Sequence, residues 1–220
     1  MSRELEVLYA NRFDRADREW KTAVWGVLWR RVFARWVPPA ATVVDLGAGY
    51  CEFVNQAVAR RRIAVDLNPE TARVAAPGVE VRAVSAGQLD FLADGEVDVV
   101  FSSNFLEHLP SKAAVSGVFE EVKRVLKPGG RVILMGPNIR YLADRYWDYF
   151  DHHVPLSHAS VCEALSLHGF ELQHVEPRFL PYTVKGSRLR LLWLVEIYLA
   201  LRPLSSSLLG KQFLVAARKP

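Results

Sequence analysis

Apolar residues fall along this chain in two rhythms. Between residues 21 and 37, Val24, Trp25, Leu28, Trp29, Val32, Phe33 and Trp36 recur every three or four positions, which predicts one face of a helix. Pro38 and Pro39 end it, since neither ring can continue the helical hydrogen bonds. From there, short apolar runs alternate with helical stretches. The runs at 42–46, 63–67, 79–84, 97–102 and 131–135 have the length of strands. Between the last two, Ala114, Val115, Val118, Phe119, Val122 and Val125 form a helical stripe that stops at Lys127-Pro128-Gly129-Gly130. Runs at 170–175 and 213–217 supply two more strands. Short strands alternating with helices predict parallel pairing through crossovers, with helices on both faces of the sheet. Ligands of such sheets bind beyond the carboxyl ends of the strands, where the winding direction reverses.

The chemistry gathers at those ends. The first strand runs into Val43-Val44-Asp45-Leu46-Gly47-Ala48-Gly49-Tyr50-Cys51. Gly47 and Gly49 permit a tight turn and close approach of backbone to a ligand, and a helix is expected from about Cys51. The second strand ends in Asp66, at the spacing where a carboxylate accepts hydrogen bonds from ribose hydroxyls. The competing reading of Asp66 is a cap for the helix at Asn68-Pro69-Glu70, a task for which Asn68 is equally suited. A dinucleotide loop would carry a third glycine at position 52 and seat a pyrophosphate. Here Glu52 and Asp45 put negative charge beside the loop and would repel one. The same charges favour a cationic ligand.

On these residues the chain resembles the class I S-adenosylmethionine-dependent methyltransferases, in the broad group that modifies small molecules. The resemblance runs from about residue 42 to 170 and includes the last strand. It rests on 43–51, on Asp66, on the fourth-strand segment 97–108 and on Leu126-Lys127-Pro128-Gly129-Gly130-Arg131. It implies an α/β fold: a Rossmann-like, seven-stranded, mostly parallel sheet with helices on both faces and an antiparallel last strand. It also implies S-adenosyl-L-methionine as cofactor. The expected contacts are Asp45, Gly47, Ala48, Gly49 and Asn104 around the loop, Asp66 on the ribose, and Leu67, Ser85 and Ala86 around the adenine. Tyr9 and Arg12 are placed in a lid over the methionine end. The chain departs from the family pattern where Cys51 replaces the frequent third glycine, and where Ser85-Ala86 replaces an acid near the adenine amine.

Methyl transfer from a sulfonium requires above all that the acceptor atom be held in line, and a hydroxyl acceptor also needs a base. The connection after strand five, from Asn138 to His158, concentrates aromatics, carboxylates and histidines. It offers His152 and His153 as candidate bases, with Asp151 or Asp148 to orient an imidazole, and Asn138, Arg140, Tyr141 and Tyr146 to grip an acceptor. His108 resembles a histidine widespread in the family and is read as structural.

Composition narrows the rest. Half of the 220 residues are hydrophobic, enough to bury one substantial core. Three segments are expected: a helical cap at 1–40, a core at 41–178 and 211–220, and a helical insert at 179–210. The charged N-terminus predicts no signal peptide, hence a cytoplasmic protein. Cys51 and Cys162 suggest neither a disulfide framework nor a metal site. Residues 178–220 carry eight basic groups and one acidic group, Glu196, the only charge within 191–201. That apolar stretch is too short to span a bilayer. It can pack on the 21–37 helix, form a dimer contact, or let 188–201 lie on a membrane surface. The expected protein is a monomer or homodimer that methylates a hydroxyl or amine of a small molecule, preferably a sugar or natural-product intermediate, with no nucleic-acid partner. RNA or protein methylation, a non-catalytic donor-binding module, and an NAD-dependent oxidoreductase are the alternatives, in falling order.

Overall fold

The computed structural model describes residues 15–182 and 191–220. Seven strands form one sheet: β1 (Thr42–Leu46), β2 (Arg61–Val65), β3 (Val79–Arg82), β4 (Val97–Ser103), β5 (Leu126–Pro137), β6 (Glu171–Glu176) and β7 (Gln212–Arg218). Their order is β3-β2-β1-β4-β5-β7-β6. The first five pair in parallel, while β7 runs antiparallel to both β5 and β6. The chain winds one way from β1 through β3 and the other way from β4 onward. The reversal falls between β1 and β4, directly beyond the glycine loop.

Every residue of β1 is buried, which explains why its run is mainly apolar with Asp45 as the one charged side chain. Alternate side chains serve two cores. Val44, Leu46, Ile63, Val65, Val100 and Leu134 meet Val115, Val118, Phe119 and Val122 of one helix (Lys112–Val125) and Val161 and Leu165 of another (His158–Leu167). Val43, Ala64, Val99, Phe101, Ile133 and Met135 face the opposite side and meet Val27, Leu28, Trp29, Val32 and Phe33.

The apolar stripe at 21–37 is not one uniform helix. Helix α1 (Arg15–Leu28) widens into a π turn at Trp29–Phe33 and tightens into a 3-10 turn at Ala34–Trp36. The widening keeps Phe33 aimed inward, where its ring meets those of Trp25, Phe53, Phe101 and Phe179. The helix expected from Cys51 is also irregular. Residues 51–56 form successive turns, although the Asn55 N–H reaches the Cys51 carbonyl as in a helix.

Strand β5 begins five residues earlier than its apolar run, because Leu126 already pairs with Val97; the register then shifts, and pairing with β4 resumes at Arg131 opposite Val99. Within 179–210, helix α2 (Leu192–Ala200) packs Val195, Tyr198 and Leu199 on the α1 side of the sheet, and Glu196 accepts from Arg30 and Arg31. No helix among the described residues is long and apolar enough to cross a membrane.

Candidate active site

The loop after β1 is built around three residues in left-handed backbone conformations: Gly47 (φ +68°), Gly49 (φ +52°) and Cys51 (φ +59°). The N–H groups of Gly47 and Ala48 both donate to the Val65 carbonyl, pinning the loop to the end of β2. A Cβ on Gly47 would fall 2.4 Å from Phe105, so the ring after β4 requires a glycine there. Above Gly49 the space is open for 4 Å, which leaves its backbone approachable by a ligand.

Asp66 receives the N–H of Gly49 at 2.7 Å and that of Asn68 at 2.7 Å. Asn68 in turn accepts from Glu70 and caps the following turn. The two readings of Asp66 therefore separate: Asn68 is the cap, and Asp66 ties the glycine loop to the second strand.

Asp45, Gly47, Ala48, Gly49 and Asn104 line one hollow of about 150 Å³ at the sheet's reversal point. Lys21, Trp25, Tyr50, Glu52, Phe53, Phe101 and Ser103 complete its walls. A second hollow of about 480 Å³ adjoins it through Tyr50 and Glu52. Periodicity marked Trp25 as core and gave Lys21 and Phe53 no role; α1 crosses the loop and brings them in. Phe53 stacks on Phe101 at 3.7 Å, with Trp25 edge-on to both, so the floor of the hollow is aromatic.

Burial, reinforced by Glu52 and by Asp66, holds the Asp45 carboxyl well above the usual range, although the Val54 N–H at 3.3 Å opposes that shift. Burial also raises Asp66, against the backbone donors that favour its charged form. An acidic, partly desolvated cluster of this kind suits a cation and disfavours a phosphate. Lys21 stands 3.7 Å from Glu52, on the wall of the same hollow. The residues present thus fit a nucleoside-like ligand bearing positive charge.

Asp66, Leu67, Ser85 and Ala86 are not on the lining of this hollow; Asp66 sits behind the loop, its carboxylate taken by the Gly49 and Asn68 N–H groups. Leu67 is exposed beyond β2, Ala86 is buried in the core, and the Ser85 hydroxyl faces the Gly87 N–H. Tyr9 and Arg12 lie outside the described residues.

The connection after β5 is more inward-turned than its composition suggests. Asn138 is fully buried; its side chain caps Arg140 and reaches Pro177 and His158. Tyr146 is also fully buried, donating to the Val154 carbonyl and accepting from the Leu156 N–H. The polar atoms of both side chains are thus engaged within the protein, those of Asn138 by the Arg140 N–H, the Pro177 carbonyl and the His158 ring, and the Tyr146 hydroxyl by backbone groups of Val154 and Leu156. Arg140 is exposed, and Tyr141 stacks on His158 beneath Arg178.

An Asp–His pair is present, between Asp151 and His108. His108 Nδ1 lies 3.3 Å from Oδ2 and 3.0 Å from the carbonyl of Asp151. Burial opposes the charged imidazolium, yet Asp151 and Glu107 outweigh it and raise His108. His152 is buried among the rings of His108, Tyr146 and Tyr149, whereas His153 is exposed.

Residues 44–134 match the family model described as a methyltransferase domain. An uncharacterized methyltransferase of Mycobacterium leprae is 35% identical over 135 residues, 57% of this chain and 48% of its own length. The chain thus spans about half the length of the curated relatives of this kind that it matches. Among solved structures, a SAM dependent methyltransferase from Archaeoglobus fulgidus superposes with a TM-score of 0.66 at 18% identity, covering 88% of this chain and 92% of that one. The protein solved in complex with a methyltransferase activator from Haloferax volcanii gives 0.71 at 18% identity, over 100% and 99% of the two chains. Residues 44–134 are thus a methyltransferase domain, on a sheet with the Rossmann-like order of the class I S-adenosylmethionine-dependent methyltransferases.

Proposed function

We propose that the chain transfers a methyl group from S-adenosylmethionine to a hydroxyl or amine of a small molecule in the cytoplasm, with sugars or natural-product intermediates as preferred acceptors. The observation that carries this reading is the acidic wall, Asp45 with Glu52, lining the same hollow as Gly47 and Gly49. When bound, the donor supplies a methyl group already activated on a positively charged sulfur. The chain's own part is to bind and orient. Asp66 and Gly49 would hold the ribose side, Asp45 and Glu52 would neutralise positive charge, and Lys21 would meet the carboxylate that Arg12 was expected to meet. Trp25, Phe53 and Phe101 exclude water from the reacting end, which strengthens these interactions. His153, the exposed imidazole of the pair, can exchange a proton with an acceptor and with solvent; His152 is enclosed.

Calorimetric titration with S-adenosylmethionine and, separately, with NAD tests the reading. Saturable heat with the first and none with the second is expected; the reverse overturns it. His153→Ala should keep donor affinity and slow turnover on a hydroxyl acceptor.

We further infer that the insert seats the protein on an anionic lipid surface. Leu191, Leu192, Trp193, Leu194, Ile197, Leu201, Leu204, Leu208 and Leu209 are all exposed. Glu196, the one acid of residues 178–220, is engaged by Arg30 and Arg31, which leaves the surrounding charge basic.

A further inference from the structure

Two loops leave the carboxyl ends of β4 and β5 and are locked together on the side of the hollow marked by Asn104. Three residues beyond Asn104, the Glu107 carbonyl accepts the N–H groups of both His153 (2.8 Å) and Val154 (3.1 Å). This clasp brings the side chains of Glu107, His108 and His152 into one group, with one potential ligand atom from each lying within 4.8 Å of the others. Two of the three are buried: Glu107 is 3% exposed and His152 is 6% exposed. The surrounding rings of Tyr146 and Tyr149 hold the His152 imidazole in place, Tyr149 stacked at 5.1 Å and Tyr146 edge-on at 4.8 Å. Spacing along the chain hides the group, since the ligands come from two loops more than forty residues apart.

We propose that Glu107, His108 and His152 bind one divalent transition-metal cation, which holds neighbouring oxygens of the acceptor. The role toward the acceptor rests on the methyltransferase reading; cation binding does not.

Three features support the site. The donor set is two imidazoles and one carboxylate, which suits zinc, iron, cobalt or manganese better than magnesium or calcium. His108 has its Nδ1 against the carbonyl and carboxylate of Asp151, leaving Nε2 turned toward Glu107 Oε1 at 4.0 Å. A carboxylate behind the distal nitrogen is the arrangement that orients metal-bound histidines and raises their basicity. Finally, three protein ligands leave coordination positions open for two oxygens, so the fitting acceptor carries vicinal hydroxyls or a hydroxyl beside a carboxylate. Donor atoms around a tetrahedral zinc stand about 3.4 Å apart. The present spacing, up to 4.8 Å, must therefore contract by about 1 Å on loading, with Asp151 still behind His108.

The test uses the full chain, stripped with a chelator and titrated with ZnCl2, MnCl2 and CoCl2. One equivalent should bind, and Co2+ should give a visible absorption spectrum of nitrogen and oxygen ligation. His108→Ala and His152→Ala should each weaken Zn2+ binding by at least about ten-fold, and Asp151→Asn by about 10–100-fold. His153→Ala, which removes an exposed imidazole outside the group, should leave it unchanged. Adding catechol to the Co2+-loaded protein should shift the visible bands, and an unshifted spectrum overturns the acceptor-holding role. The Co2+ spectrum of the unaltered chain tests the site even where a buried-histidine variant fails to fold. Absence of stoichiometric binding, or binding indifferent to His108 and His152, overturns the proposal. Donor titration separates the two readings: cation binding without S-adenosylmethionine binding refutes the methyltransferase reading alone, and the converse refutes the cation site alone.

Discussion

Gly47 and Gly49 share a left-handed backbone conformation and differ in their surroundings, which makes them a controlled pair. An alanine at either must hold a conformation that L side chains disfavour by about 1–2 kcal/mol. At Gly49 that is the whole cost, because nothing stands within 4 Å of the new methyl. At Gly47 the methyl would fall 2.4 Å from Cδ2 and from Cγ of Phe105, and 2.7 Å from its Cβ. Those atoms sit at the root of the ring, so no flexible tip can swing aside. Phe105 must shift by about 1 Å, an overpacking that adds about 1–3 kcal/mol. Gly47→Ala should therefore lose about 2–5 kcal/mol and Gly49→Ala about 1–2 kcal/mol, read by urea unfolding at constant slope. The decisive measurement is the double-mutant cycle with Phe105→Ala. Truncating the ring should recover about 1–3 kcal/mol in the Gly47→Ala background, well outside the additivity of unconnected sites. Equal losses at the two glycines, or a coupling below about 0.5 kcal/mol, would show that the ring does not dictate the glycine.

Three further outcomes are expected. Asp45 is buried and holds its proton to higher pH in the folded chain than in the unfolded one, so the unfolded state binds fewer protons and stability falls as pH rises from the ordinary aspartate range through the raised value. Asp45→Asn should flatten that part of the stability–pH curve and raise stability at neutral pH, while weakening S-adenosylmethionine binding; a steeper curve or tighter binding contradicts the assignment. Tyr146→Phe removes a hydroxyl that joins Val154 to Leu156 in the core, and thermal unfolding should report a loss of about 1–3 kcal/mol with donor affinity unchanged. Sedimentation with phosphatidylserine-containing vesicles should retain the protein, phosphatidylcholine alone should not, and Trp193→Ser with Ile197→Ser should release it; equal recovery from both lipids removes the charge argument.

The centre of the sheet was legible because both its faces are covered there. Strands β1, β4 and β7 are almost wholly buried and read as short, mainly apolar runs, whereas β3 and β6 at the edges alternate apolar with charged or polar residues; each of the seven runs still overlaps an observed strand. The ends were less legible. Pro128–Gly130 carry turn residues, yet the Gly129 N–H donates to Lys219 and the Lys219 N–H to Gly130, so the last strand draws this segment into the sheet. The glycine loop and its acid could be placed from spacing alone because their partners are close in sequence: Gly49, Asp66 and Asn68 satisfy one another. What could not be seen depends on the crossing of distant elements. Lys21 and Trp25 enter the hollow only because α1 lies across the loop, and Asn138 and Tyr146 are buried with their polar atoms engaged by neighbouring groups of the protein. Composition marks such a connection as rich in functional groups without telling which of them fold inward.

Cys51 shows how one departure from a family pattern can be resolved physically. The position has φ +59°, where glycine would be unstrained and a side chain costs about 1 kcal/mol or more. The thiol is fully buried beneath the loop, next to the Thr71 carbonyl, and burial together with Asp45 and Glu52 pushes its pKa to about 12. It is therefore neither a nucleophile nor a ligand; its contribution is volume. Burying a small apolar group is worth about 1 kcal/mol, the same order as the backbone strain. The two terms offset, so cysteine can replace glycine here without opening the loop. The side chain points into the core beneath the turn, away from the ligand face that Gly49 leaves open, and the substitution leaves the approach to the backbone free.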